Sequence, residues 1–269
     1  MAKKVKDPTI WQELKRILIE QLKEIEEMAP EVLMDNNPEA LHDLRVACRR
    51  SRSALLQVKS AFNPDQHNQL LEIYKLVSQH TNRLRDLDVY LEKLQSYFEL
   101  LPENMHSQLR SYIGRVKQRR TREAGKIHSL LKSNAFKEKF ICLKSLLLSE
   151  DQPGKGPGAD KSARSYSSKK IRKKYSKVVK AGMELVECPD HNALHELRIQ
   201  CKKLRYLMEF FRGSFNKTRV NALIRKLKSL QNILGDYNDL TVQIAVLNED
   251  IKRTRPAKTD IRAMLGGLQ

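Results

Sequence analysis

ALHDLRVACRRSRSALLQVKSAF, residues 40–62, is answered without a gap by ALHELRIQCKKLRYLMEFFRGSF, residues 193–215. Eight of the 23 aligned positions are identical and six more are conservative, and the same offset of 153 positions extends beyond the phrase. It brings Lys75 onto Lys228, Asp86 onto Asp239, Leu87 onto Leu240 and Val89 onto Val242. Solenoid repeats run to roughly 20–50 residues, so this period is not one of them. It reads as an internal duplication, and predicts a pseudo-twofold molecule with two equivalent basic surfaces.

Each copy has helical periodicity. With His42 at the origin and about 100° per residue, Arg45, Arg49 and Arg52 fall within an arc of about 80°. Leu41, Leu44, Cys48, Leu55 and Val58 fill the adjoining arc, so the cations border the apolar face instead of opposing it. The second copy repeats this with His195, Arg198, Lys202 and Arg205 beside Leu194, Leu197, Cys201, Leu204 and Met208. Tyr206 adds a hydroxyl at the edge of that stripe, and Arg50 and Lys203 flank the two stripes. Arginines on an amphipathic helix are usually a solvated face. Here the pattern occurs twice in one register, histidine heads both copies, and neither stripe is read as carrying an acid at i, i+4. Four cations along about 15 Å of helix repel one another unless an anion answers them, so the stripes are assigned to anion binding.

The rest of the chain is helical as well, with no sustained alternation to suggest strands. Helices are expected at about 8–29, 38–62, 64–100, 102–132, 134–149, 162–187, 190–213, 217–235, 237–253 and 257–266. Short connections imply antiparallel neighbours, so each half reads as a helical bundle. The organisation is one domain over 1–269. It divides into a first helical half (1–149), a flexible Gly/Pro/Ser-rich connection (150–168) and a second half (169–269).

Lys and Arg number 51 against 32 Asp and Glu, a net charge of +19 with a pI near 9.8. That excess favours polyanions: nucleic acid, polyphosphate or an anionic membrane face. Aromatic residues are only 6%, which argues against stacked-base recognition. The four cysteines form no CxxC pair and have no histidine at zinc-finger spacing; Cys48 and Cys201 sit at apolar helical positions. No signal peptide or membrane span is visible, so a soluble, cytoplasmic protein is expected.

LHDLRVACRRSR and LHELRIQCKKLRYLMEFF resemble the paired motifs of the CHAD domain family, together with RLRDLDV (83–89), LGDYNDLTV (234–242) and the lead-in KKIRKKYSKVVKAGMELVE (169–187). The resemblance covers nearly the whole chain. It implies two four-helix bundles about a pseudo-dyad, with a central basic cleft or pore that binds inorganic polyphosphate. It also implies association with polyphosphate granules. A linear polyphosphate repeats its charge and offers no base edges, which suits guanidinium and ammonium groups at helical spacing.

The expected polyphosphate-binding set is therefore His42, Arg45, Arg49, Arg50, Arg52 and Lys75 from the first half. The second half adds His195, Arg198, Lys202, Lys203, Arg205, Tyr206 and Lys228. Asp86 and Asp239 are expected to orient the arginines or cap a turn, and Arg83, Arg85, Arg119 and Arg122 to contribute peripherally. No metal, cofactor or catalytic group is assigned. His42-Asp43 lacks the further ligands of a metallohydrolase, the aspartates near 86 and 239 are read as structural, and no nucleophile–base pair or Gly-rich phosphate loop is present. Family members can carry a triphosphate-processing CYTH domain, but no strand-rich segment here would build one. Two alternatives remain: sequence-nonspecific RNA or DNA binding through the same surfaces, and a metal-dependent phosphoanhydride hydrolase.

Overall fold

The computed structural model describes residues 7–35, 37–149, 155–187 and 190–253. It is all-α. The helices are α1 (Ile10–Met34), α2 (Pro38–Gln57), α3 (Pro64–Ser96), α4 (His106–Lys132), α5 (Asn134–Leu148), α6 (Ala163–Glu187), α7 (His191–Phe210) and α8 (Lys217–Arg253). Short 3-10 turns at Lys59–Ala61 and Arg212–Ser214 follow α2 and α7.

Every boundary from α6 to the start of α8 lies 153 positions after its counterpart in α1 to α3, the 3-10 turns included. The start signals recur too. Asn37 and Asp190 cap α2 and α7 by accepting from Glu39 N–H (3.0 Å) and Ala193 N–H (3.0 Å). Asn63 and Asn216 cap α3 and α8 in the same way. These side-chain oxygens satisfy amide donors that a first helical turn leaves unpaired. Where α1 and α6 begin, Ile10 N–H donates to Lys161 O and Ala163 N–H donates to Pro8 O, both at 2.9 Å. Each member of this pair of bonds is the other shifted by 153, and Thr9 and Ser162 face each other between them.

One core joins α1, α2, α3 and α5 with the C-terminal end of α7. α1 supplies Ile10, Leu14, Ile17, Leu18, Leu22 and Ile25 at i, i+3, i+4 spacing, and α7 inserts Tyr206, Leu207, Phe210 and Phe211. A second cluster packs α3 against α4 and Leu247 of α8, and a third holds α6, α7 and α8 together.

Three boundaries differ from expectation. α1 runs through Pro30 to Met34 and stops at Asp35, whose φ of 55° is left-handed. Proline near a helix end removes one amide bond with little helix left to disrupt, and Arg120 binds the Asp35 carboxylate. α8 is unbroken where a junction was expected at 235–237, because Gly235 is buried in the helix beside the Arg198 guanidinium. α6 begins at Ala163, and the described part of the connection is bonded: Gly156 and Gly158 N–H donate to Ala61 O and Ser60 O at 2.9 and 2.8 Å. A Cβ on Gly156 would lie 2.3 Å from Phe62 O, so only glycine allows this approach. The helix expected at 257–266 lies outside the described residues.

Candidate functional site

On α2, the cations sit where periodicity places them, on the border of the core. Arg45 is half-buried and turned onto α3. It donates to Ser78 O (3.2 Å), Thr81 Oγ1 (2.7 Å) and Asn82 Oδ1 (2.9 Å), all neutral acceptors. Burial, with Arg49 and Arg85 alongside, holds its guanidinium below the usual value, although Asp86 pulls the other way. It stays charged at any physiological pH. Partial burial lowers the His42 imidazole below its ordinary range, and Arg85 and Arg49 add to the effect against Glu39 and Asp43. Arg49 is exposed, and the Arg52 Nε–H is buried with no acceptor.

α7 mirrors part of this. The Nε–H groups of Arg198 and Arg205 are buried and unaccepted, as is that of Arg50 on α2. Among the described residues Arg49, Arg52 and Arg198 make no ion pair. Arg205 packs over the Tyr206 ring, 5.0 Å from its centroid, and approaches Glu209 at 3.6 Å. Glu209 also faces Arg50 at 3.8 Å, so one carboxylate joins the ends of the two basic helices. The expectation of no acid at i, i+4 therefore fails for α7, where Glu209 follows Arg205 by four. Tyr206 is buried and stacked on Phe210, so its ring belongs to the core. His195 is exposed and Lys202 half-buried. Lys203 is exposed and lies near Lys174 of α6, whose ammonium is shifted down by burial and then by Lys203, Lys177 and Lys170.

The remaining expected residues divide. Lys228 lines a cavity of ≈ 600 Å³ with Arg50, Arg16, Arg212, Lys217 and Arg225, against the carboxylates of Glu13, Glu20 and Glu209. Lys75 pairs with Glu72 on its own helix at 3.2 Å. Asp86 makes no ion pair with Arg45; partial burial raises its carboxyl while Arg45 and Arg83 pull it down from a distance. The Asp239 side chain lies outside what is described. Of the peripheral arginines, Arg83 faces Glu123 (3.5 Å), Arg85 faces Glu39 (3.3 Å), and Arg119 grips buried Asp250 with two bonds of 3.0 and 3.1 Å. Arg122 is exposed.

The cavity cations Arg16, Arg212, Lys217 and Arg225 were missed from sequence. The repeat held a signal for two of them, since Arg16 is matched by Lys169 and Arg212 by Lys59. Asp88, one of the aspartates expected to be structural, is buried and receives Arg120 Nε at 2.9 Å, so it positions an arginine outside the two stripes. Among the described residues no three His, Cys, Asp or Glu are grouped to hold a metal ion. No helix among them is long and apolar enough to cross a membrane.

A family model described as the CHAD domain matches residues 16–248. The fold is similar to the crystal structure of the CHAD domain from the plant Ricinus communis, with a TM-score of 0.76 and 24% identity, covering 97% of this chain and 85% of that one. It is also similar to PptA from Streptomyces chartreusis, with a TM-score of 0.62 and 19% identity, covering 96% and 93%. No curated protein matches.

Proposed function

The chain belongs to the CHAD domain family, and on that premise we propose that it binds inorganic polyphosphate, without chemistry, along the cationic faces of α2 and α7. The observation that carries this reading is the set of buried guanidinium Nε–H groups on Arg52, Arg198 and Arg205 that have no acceptor. A buried donor left unpaired costs about 1–3 kcal/mol, and more when charged. Phosphate oxygens supply acceptors of the right charge, and guanidinium binds them through charge-assisted bonds. Arg52 and Arg205 are repeat equivalents, so two halves descended from one duplication would offer the same unmade bond to the same ligand. In this reading Arg45, Arg49 and His42 extend the first face, and Arg198, Lys202 and His195 the second. Arg50, Glu209 and Lys228 mark where the two faces meet in a shared cleft. Such a binder would accompany polyphosphate in the cytoplasm or on granules.

Direct competition tests the ligand. Long-chain polyphosphate is expected to displace single-stranded RNA of matched charge at fixed salt, and not the reverse. Equal displacement in both directions would replace polyphosphate with polyanions in general. Salt dependence alone decides nothing, because every phosphate-backbone contact weakens with salt. Incubating the protein with polyphosphate and magnesium or manganese is expected to release no phosphate. Metal-dependent release would make it a hydrolase.

A further inference from the structure

The two halves are not covered alike. Between α6 and α8 runs an apolar groove of ≈ 690 Å³ lined by Tyr175, Val178, Met208, Leu223, Leu227 and Leu230. Shifted back by 153, Tyr175, Val178, Leu223 and Leu230 become Leu22, Ile25, Leu70 and Val77, all buried. Leu223 is 50% exposed where Leu70 is 1%. The difference is α5, which lies on α1 and α3 and shares Phe136, Leu143 and Leu147 with their core. Among the described residues, the same surface is thus roofed by a helix in one half and uncovered in the other.

α8 also carries a shape that fits such a groove. Ile233, Tyr237, Leu240 and Ile244 are exposed apolar residues spaced 4, 3 and 4 apart, the a/d seam of a coiled coil. Ile233 is 66% exposed, and the seam continues the groove wall formed by Leu223 and Leu230. Charge along α8 is polarised: Lys217, Arg219, Arg225, Lys226 and Lys228 precede the seam, while Asp236, Asp239, Glu249 and Asp250 accompany and follow it, ahead of Lys252 and Arg253 at the helix end. An antiparallel copy of α8 sets its acidic half against this basic half, whereas a parallel copy opposes like charges.

We propose that this face is a self-association surface on which a second copy of the chain lies antiparallel along α8. Each copy's Ile233–Ile244 ridge fills the other's groove beside Leu223 and Leu230, an isologous contact with twofold symmetry. Such pairing removes the exposed seam from water.

Sedimentation of the whole protein without polyphosphate tests it. The wild type is expected to dimerise, and the Leu240→Asp/Ile244→Asp variant to weaken that dimer about 100-fold or more, because carboxylates would be buried unpaired. The helical circular dichroism should stay unchanged. A wild type that remains monomeric at all accessible concentrations overturns the proposal, as does a variant that dimerises undiminished. Cysteine crosslinking in a Cys142→Ser/Cys188→Ser background tests the register: Leu223→Cys with Ile244→Cys should form an intermolecular disulfide that neither forms alone. Equal crosslinking by Leu223→Cys alone overturns the antiparallel arrangement. A monomer whose residues 254–269 resist protease until Leu223→Asp is introduced would assign the groove to the chain's own C-terminal segment, and overturn the proposal as well.

Discussion

Arg52 and Arg205 occupy one place in two helices, and each leaves the same Nε–H buried without an acceptor. Charge-assisted bonds contribute about 1.5–3 kcal/mol, so Arg52→Ala and Arg205→Ala should each weaken polyphosphate binding by about 10- to 100-fold. Arg52→Ala should not lower the melting temperature appreciably, since it removes an unsatisfied donor, whereas Arg205→Ala also loses the approach to Glu209 and the packing over Tyr206 and should lower it slightly. Arg119→Ala should act on stability and not on binding. It removes both guanidinium bonds from Asp250, which is 8% exposed at its side chain and keeps the Tyr112 hydroxyl. With Arg119 itself a third exposed, a stability loss of about 1–3 kcal/mol is expected, with little change in affinity. Calorimetry of both properties on the three variants checks the contrast. His42 adds a pH signature. Its folded value lies below the ordinary 6.5, so the unfolded chain binds the proton more readily. The free protein therefore loses stability as pH falls from about 6.5 through the depressed value. A bound polyanion favours the imidazolium, so affinity should strengthen over that same descent, and His42→Ala should flatten part of the slope. An identical slope in the variant would remove His42 from the site.

Glycines separate what the elements owe to pattern from what they owe to packing. Gly235 stands at the expected end of a helix over 217–235, yet it lies inside α8, where an added Cβ would meet the Arg198 Nη2 at 3.9 Å, an ordinary contact. Gly235→Ala should stabilise the protein by about 0.5–1 kcal/mol through helix propensity. Gly156→Ala should destabilise it severely, because the new carbon would overlap the Phe62 carbonyl. Thermal melts of the pair check both signs. The same contrast shows what was legible in sequence. Helical period is local, so it places α2, α3, α6 and α7 to within a few residues. The apolar arc of α2 was equally plain: Leu41, Leu44, Cys48, Leu55 and Val58 are all buried. Partnership between elements is not local. Nothing in RVKQRRTREAGK tells Arg119, which clamps α8, or Arg120, held by Asp35 and Asp88, from exposed Arg122. Tyr206 fell to the same limit, because a phenol at a stripe's edge reaches solvent or core according to what packs there.

At the scale of the molecule, the repeat locates the two stripes, and Glu209 shows where they approach. It faces Arg50 from α2 and Arg205 from α7. A single polyanion crossing that junction touches both halves, whereas two separate surfaces would each take their own. The two arrangements differ in stoichiometry and in how substitutions combine. Arg45 and Arg198 are repeat equivalents, and reversing either charge adds repulsion on one face only. If one chain spans both faces, Arg45→Glu and Arg198→Glu should each weaken binding, and the double variant should nearly abolish it at a stoichiometry of one chain per protein. If the faces are independent, each single variant should leave one site at wild-type affinity and halve the stoichiometry. Glu209→Gln adds a readout specific to the junction. Removing that carboxylate deletes a competitor for Arg50 and Arg205, so affinity for a chain that crosses between them should rise by several-fold. For an oligophosphate too short to leave one face, it should change much less. Titration of long and short polyphosphate into these four variants at one salt concentration distinguishes a shared cleft from two separate surfaces. Halved stoichiometry in the single variants would rule out the shared cleft.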